Sequence, residues 1–183
     1  MTKPAFLQIV FYLFFLLLLV KPLGWYMSQV YQGRPCILDA VLKPFERLIY
    51  KLCGIHTQEE MGWKTYLAAM LFVNLAGLLL VYLVQRVQFY LPLNPQEFTS
   101  PSPDSAFNTA VSFATNTNWQ TYGGETTMSY FTQMFALTVQ NFISAATGMS
   151  LLVALIRGLI KHESEGLGNF WVDMVRGILY ILL

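Results

Sequence analysis

Charged residues are scarce in this sequence, making up only 11% of its 183 residues, whereas hydrophobic residues make up 55%. Soluble globular proteins carry about 25% charged residues. The composition therefore excludes an ordinary soluble domain and predicts an all-α integral membrane protein that lies in a lipid bilayer. The net charge of only +1 gives no reason to expect nucleic acid as a partner.

Cysteine and histidine are equally rare, with two of each. Cys36 and Cys53 lie in one polar segment and do not have the spacing of a zinc site or a disulfide framework. We expect ordinary reduced cysteines and no covalently bound cofactor.

Long apolar runs mark the expected membrane spans. They predict a first helix over 1–20, a second span over 65–85, a third over 126–156 and the start of a fourth over 167–183. The third run is longer than the roughly 20 residues that a spanning helix needs, so we expect it to tilt or protrude. The fourth ends inside the apolar letters ILYILL, which predicts a sequence that is cut short.

Lysine and arginine are absent between Arg86 and Arg157, whereas segment 21–64 contains several. Basic connections between spans lie on the cytoplasmic side. We therefore expect segment 21–64 and the connection carrying Arg157 and Lys161 inside the cell. The N-terminus and the connection between spans two and three then lie outside.

The cytoplasmic segment includes an amphipathic stretch, KPFERLIYKLCGI. Its period predicts a helix with Phe45, Leu48, Ile49 and Leu52 on one face. Two interpretations stay open: a helix that lies on the membrane surface or docks a partner, and a helix packed under the bundle without a special role.

The outer connection starts with a proline-rich loop, LPLNPQEFTSPSP, and then shows the start signals of a helix. Ser102 is a candidate N-cap, Pro103 suits the first helical position and Asp104 complements the positive helix end. A helix over 103–114 spans only about 18 Å, roughly half a bilayer, so the chain must turn back. Non-helical backbone at membrane depth survives only inside protein or beside a watery cavity. The pattern predicts a re-entrant pore helix followed by a filter loop over 115–120.

The chemistry of this loop fits a dehydrated monovalent cation. Backbone carbonyls of Thr115, Asn116, Thr117 and Asn118 can replace the hydration shell of potassium or sodium. No acidic side chain lies within the turn, which argues against a divalent site. Aligned carbonyls require unusual torsions, and we expect Asn116 and Asn118 to adopt the left-handed region in place of glycine. Taken alone, the letters TNTN also fit an ordinary external loop. A pore is favoured by their position, because they follow a span and a capped half-helix and precede another span.

Further polar residues lie near the predicted filter. Gln120 is expected at its outer mouth. A polar face of span three presents either a lining of the ion path or a surface that packs against neighbouring helices, and both interpretations stay open; its candidate residues are Gln133, Gln140, Asn141 and Ser144.

The stretches NTAVSFATNTNWQ, GETT and LTVQNFISAATG closely resemble the first pore region of the potassium-translocating subunit of bacterial Kdp ATPases. The segments YLPLNPQ, EMGWKTYL, KPLG and LGNFWVDMVR extend this resemblance over essentially the whole sequence. The resemblance implies a potassium transporter superfamily fold, in which four span–pore–span repeats surround one filter. Segment 65–157 would be the first repeat, and 1–20 an extra N-terminal helix.

The resemblance also implies a function. Potassium, the transported ion and the only metal expected, would be selected at residues 115–118 with Gln120 at the filter mouth. It would then pass to an ATP-hydrolysing P-type subunit, which assembles with small accessory subunits in the bacterial inner membrane. The chain itself shows nothing that resembles an ATPase motif. The alternatives are a stand-alone cation channel or secondary potassium transporter assembled from several chains, and a membrane scaffold whose re-entrant loop only packs.

Overall fold

The computed structural model describes residues 3–160 and 166–183, and helices are the only regular elements within them. Lys161 therefore lies outside the described residues. Short 3-10 and π-helical stretches occur at Gln88–Tyr90, Thr132–Thr138 and Gly177–Leu182. The α-helices are α1 Lys3–Gln32, α2 Asp39–Cys53, α3 Trp63–Val87, α4 Pro103–Ala114, α5 Gly124–Thr127, α6 Val139–Ile160 and α7 Phe170–Arg176.

Three of the described helices are long and apolar enough to cross a bilayer, namely Pro4–Gln32, Trp63–Tyr90 and Thr132–Ile160. The first of them continues beyond the predicted end at residue 20, because Pro22 lies inside the helix rather than after it. Proline is tolerated within membrane helices, where neighbouring groups can satisfy the freed carbonyl. The helix stops at Gly33, whose φ of +67° supplies a left-handed turn.

The third span differs more strongly from its prediction. Residues 126–156 form no single helix, because α5 ends at Thr127 and Met128 is extended, with φ −106° and ψ 125°. The long helix resumes after Ser129 and starts with the π-helical stretch Thr132–Thr138. The predicted run was longer than one span because its first residues belong to α5, a short separate helix that precedes the span.

Helix α4 lies between α3 and the third span, and small residues allow this close packing. Ala106 and Ala110 are fully buried, and Phe113 joins the same core cluster with Val81 and Met128. Small side chains let helices approach closely inside a bilayer, where dispersion contacts replace the hydrophobic effect as the main attraction. This core fixes the height and direction of α4.

Two ion pairs join α7, the start of the predicted fourth span, to α6 and α2. Arg157 of α6 contacts Asp173 of α7 through both of its terminal nitrogens, at 2.6 and 2.9 Å. Glu46 of α2 accepts a hydrogen bond from Arg176 at 2.9 Å and one from Tyr50 at 2.7 Å. Removing one partner would leave a buried charge without its counter-ion, which is strongly destabilising. The two pairs therefore favour this one arrangement of α2, α6 and α7.

The amphipathic helix α2 packs through a different face from its apolar one. Glu46 and Tyr50 are buried, while Phe45, Leu48 and Leu52 are exposed. Burial and the bond to Glu46 raise the pKa of Tyr50, so the phenol remains protonated and can donate. The packed face therefore combines the hydrogen bonds of Glu46 with an apolar cluster in which Tyr50 and the half-buried Ile49 contact Val172 and Val175 of α7.

Candidate ion-binding loop

The α4 helix begins and ends where its sequence signals predict. The side chain of Ser102 accepts a hydrogen bond from the Ser105 N–H at 3.3 Å, and Pro103 occupies the first turn. The helix has 12 residues and ends at Ala114. It is therefore about 18 Å long, too short to cross a bilayer. Its role as a pore helix stays a prediction.

The loop that follows has the backbone torsions predicted for its asparagines. Asn116 has φ of +56° and Asn118 has φ of +52°. Asparagine is among the few residues other than glycine that adopt this left-handed region readily. The expectation for these two residues is confirmed, and the torsions turn the chain back against the end of α4.

All four N–H groups of the loop bond to carbonyls in the last turn of α4. The N–H of Thr115 donates to Val111 and that of Asn116 to Phe113, at 2.9 and 3.3 Å. Those of Thr117 and Asn118 both donate to Ser112, at 3.0 and 3.4 Å. The left-handed torsions of Asn116 and Asn118 accompany this arrangement, in which the N–H groups of the loop point at the helix carbonyls.

The four loop carbonyls, in contrast, remain available. Among the described residues, none of the carbonyl oxygens of residues 115–118 accepts a hydrogen bond. All four residues are exposed. An exposed row of unpaired carbonyls, backed by a row of satisfied N–H groups, is the arrangement with which a backbone coordinates a bare cation.

Gln120 lies just beyond this loop and is also exposed. Its Nε2 atom is 3.4 Å from the hydroxyl of Tyr122. Burial raises the pKa of Tyr122, whose ring packs against the core cluster beside α4. The neighbouring tyrosine therefore anchors the segment that carries Gln120.

The polar face predicted on span three divides into separate contacts. Gln133 donates hydrogen bonds to the carbonyls of Gly124 and Met128, at 3.1 and 2.9 Å. Gln140 is buried against Gly77 of α3, where any Cβ would overlap its side-chain amide. Both contacts are those of helix packing and loop support.

Asn141 and Ser144 continue this face along α6. The Ser144 hydroxyl bonds to the carbonyl of Asn141 in its own helix, at 3.3 Å. The Asn141 Oδ1 and Gln140 Nε2 atoms are buried and have no hydrogen-bond partner among the described residues. The role of these two side chains in an ion path stays a prediction.

Gln88, which sequence reasoning missed, is the most fully bonded polar side chain of this region. Its Nε2 atom donates to the carbonyls of Thr99 and Thr127, at 2.6 and 2.8 Å. Its Oε1 atom accepts from the Ser129 N–H and the Thr132 hydroxyl, at 3.2 and 3.0 Å. The amide uses its whole capacity of two donors and two lone pairs. The available signal was a pair of glutamines, Gln85 and Gln88, at the end of an apolar span.

Within the described residues there is no group of three or more His, Cys, Asp or Glu side chains arranged to hold a metal ion. The candidate cation ligands at the loop are backbone, hydroxyl and side-chain amide oxygens.

Comparison with known proteins identifies relatives over the whole chain. The model of the family described as "Potassium-transporting ATPase A subunit" matches residues 10–183. A relative in Methylococcus capsulatus, named potassium-transporting ATPase potassium-binding subunit, is 58% identical over 183 residues, which are 100% of this chain and 31% of the relative. Proteins of the same name in Sorangium cellulosum and Solidesulfovibrio magneticus are 56% and 55% identical over 100% of this chain, and the chain spans 32% and 31% of their lengths.

Proposed function

Since the chain belongs to the family of potassium-transporting ATPase A subunits, we propose that it binds potassium at the outer side of a bacterial inner membrane. The chain forms part of an ATP-driven uptake pump and selects the ion with the backbone carbonyls of residues 115–118. Gln120 borders the outer mouth of this filter. The polar residues Gln140 and Asn141 of the third span lie further along the chain, in the same repeat.

The observation that carries this proposal is the separation of donors and acceptors in the loop. The N–H groups of residues 115–118 are satisfied by α4, and their carbonyl oxygens have no partner among the described residues. Carbonyl oxygens that have no partner within the described chain can replace the hydration shell of a monovalent cation. The C-terminal end of α4 adds roughly half a negative charge behind the loop, which also favours a cation.

One loop supplies only part of a coordination shell. Carbonyl filters surround the ion with several loops, because each loop contributes oxygens from one side only. The chain spans about a third of its relatives' length, and we propose that further loops of the full-length protein complete the ring. ATP hydrolysis belongs to a separate P-type subunit, with which small accessory subunits assemble.

A backbone substitution tests the proposal. In the full-length protein within its assembled complex, Asn116→Pro should abolish high-affinity potassium uptake, because proline fixes φ near −65° and removes the N–H that bonds to Phe113. Asn116→Gly is the matched control, since glycine adopts φ of +56° without strain. Thr117→Ser, which keeps both the backbone and the hydroxyl, should also be mild.

Potassium uptake, titrated over concentration in cells that express each variant at the parental level, is the measurement. Asn116→Gly should stay within about threefold of the parent. Unchanged uptake by Asn116→Pro would remove residues 115–118 from the ion path.

A further inference from the structure

Ser112 occupies the last turn of α4 and is fully buried. We propose that Ser112 is the positioning residue that sets the ion selectivity of the filter loop. This inference rests on the proposed function, since it concerns the loop that would bind potassium. It adds a residue that never touches the ion.

The backbone carbonyl of Ser112 is a shared hydrogen-bond acceptor for the loop. It accepts the N–H groups of Thr117 and Asn118, at 3.0 and 3.4 Å. The hydroxyl of Thr117 also donates to it, at 3.2 Å. The hydroxyl of Thr115 lies 3.3 Å away but makes its shorter bond, of 2.9 Å, to the Val111 carbonyl. The Ser112 carbonyl therefore fixes the second half of the turn.

The side chain of Ser112 holds the loop from the other side. Its hydroxyl donates to the carbonyl of Trp119 at 2.9 Å. This bond fixes the residue that immediately follows the four filter residues. The carbonyl and the hydroxyl of a single buried residue thus hold both the loop and the segment that leaves it.

The Ser112 hydroxyl does not bond within its own helix, unlike other buried helical hydroxyls of this protein. Helical serine and threonine hydroxyls commonly bond to a carbonyl one turn earlier. Thr109 bonds in this way to Ser105, and Ser150 to Ala146, each at 2.8 Å. Ser112 instead bonds seven residues ahead, outside its helix. Its hydroxyl therefore contributes to the loop and not to the helix.

Selectivity depends on this bond because discrimination between ions of similar size needs carbonyls held at fixed spacing or field strength. Without the hydroxyl, the Trp119 carbonyl loses its partner and the end of the loop can rotate. The loop would still present carbonyls, so transport continues, but the preference among monovalent cations falls.

The test is Ser112→Ala in the full-length protein within its assembled complex, with Ser150→Ala as the matched control. Both replace a fully buried helical serine, but only Ser112 contacts the loop. The readouts are the half-saturating concentrations for potassium and for rubidium, and the maximal uptake rate. For Ser112→Ala we expect the half-saturating potassium concentration to rise about tenfold and the rubidium-to-potassium ratio to shift at least threefold. The maximal rate should fall by less than threefold.

Ser150→Ala should leave both concentrations within twofold of the parent. The proposal is overturned if Ser112→Ala also leaves the half-saturating concentrations and their ratio within twofold. It is equally overturned if Ser150→Ala produces the same shift, since the effect would then be a general loss of helix packing.

If Ser112→Ala does not assemble, Ser112→Cys decides. It closely keeps the size of the buried side chain but replaces the hydroxyl that donates to the Trp119 carbonyl by the weak S–H donor of a thiol. A shift of at least threefold in the rubidium-to-potassium ratio supports the positioning role, and a smaller shift overturns it. Failure of the filter itself is distinguishable, because Asn116→Pro would then also leave uptake unchanged.

Discussion

Asn116 and Asn118 hold backbone torsions that most side chains resist. In the left-handed region the Cβ atom approaches the following carbonyl oxygen, which costs most residues about 1–2 kcal/mol. Here the φ values of +56° and +52° bring the loop N–H groups onto the end of α4. Each of these torsions is thus stabilised by hydrogen bonds that the extended alternative would lose.

Gln120 provides the prediction at the residue scale. Gln120→Arg places a positive charge at the exposed position that we propose borders the filter. At about 6 Å and an effective dielectric constant of about 40, it repels an entering cation by roughly 1.4 kcal/mol. We therefore expect the half-saturating potassium concentration of the full-length complex to rise about tenfold. Potassium uptake titrated at two ionic strengths measures the effect, which should shrink at higher salt.

Gln120→Glu is the control for this change, because it alters the same position without repelling a cation. It should not weaken potassium binding. A half-saturating concentration within twofold of the parent for Gln120→Arg, with assembly confirmed, would place Gln120 away from the ion's entrance.

At the scale of elements, two glutamines stabilise the break before the third span. Gln88 connects Thr99 of the outer loop to Thr127 and Ser129, while Gln133 binds the carbonyls of Gly124 and Met128. The break frees backbone groups that a continuous helix would satisfy internally. The two side chains replace those bonds, and Gln88 thereby holds α5 beside the proline-rich segment that carries Thr99.

Gln88→Leu should therefore destabilise this region. The change removes the partner of two buried groups, the Ser129 N–H and the Thr132 hydroxyl, and of two part-buried carbonyls. A stranded buried group costs about 1–3 kcal/mol. We expect the apparent melting temperature of the full-length complex, followed by loss of assembly on heating, to fall by several degrees. Gln96→Leu is the matched control, because Gln96 is exposed and makes one bond, to Tyr130. Equal melting temperatures for Gln88→Leu and the parent would contradict this role.

Local signals explain which elements were predictable. Helix α4 was predicted with its bounds because Ser102, Pro103 and Asp104 act within one turn, and the asparagine torsions follow from the chemistry of the residue itself. The continuation of α1 through Pro22 was missed because membrane helices accept proline that soluble helices reject. The break at Met128 carries no proline or charge, and it depends on Gln88, which lies far away in the sequence.

At the scale of the whole molecule, the break at Met128 and the Arg157–Asp173 ion pair lie near opposite ends of the third span. Gln133 lies near the start of that helix and binds the Met128 carbonyl, whereas Arg157 lies near its end and binds Asp173. The contact Arg157–Asp173 depends on how two helices meet, and the contact Ser112–Trp119 depends on the exact path of the loop after α4. Composition and periodicity alone predict neither. The arrangement separates the start of the third span, which has no lysine or arginine, from its basic end, and the positive-inside rule predicts an orientation from such an asymmetry.

This separation predicts the orientation in the membrane. A reporter that is active only in the cytoplasm should be active when fused near Arg34 and silent when inserted near Ser100. The reason is that basic connections stay inside, while the connection between Arg86 and Arg157 has no lysine or arginine. Reporter activity in intact cells, normalised to the amount of fusion protein, measures this. The reverse pattern would place the loop on the cytoplasmic side and contradict uptake from outside.

The most direct test of the potassium site is an anomalous difference map of the full-length protein in its assembled complex, with thallium ions replacing potassium. Thallium is a monovalent cation that scatters strongly enough to be located. The proposed function predicts a peak within coordination distance of the carbonyl oxygens of residues 115–118, weakened by competing potassium. A map with thallium bound elsewhere along the ion path, and no peak at these carbonyls, would contradict it.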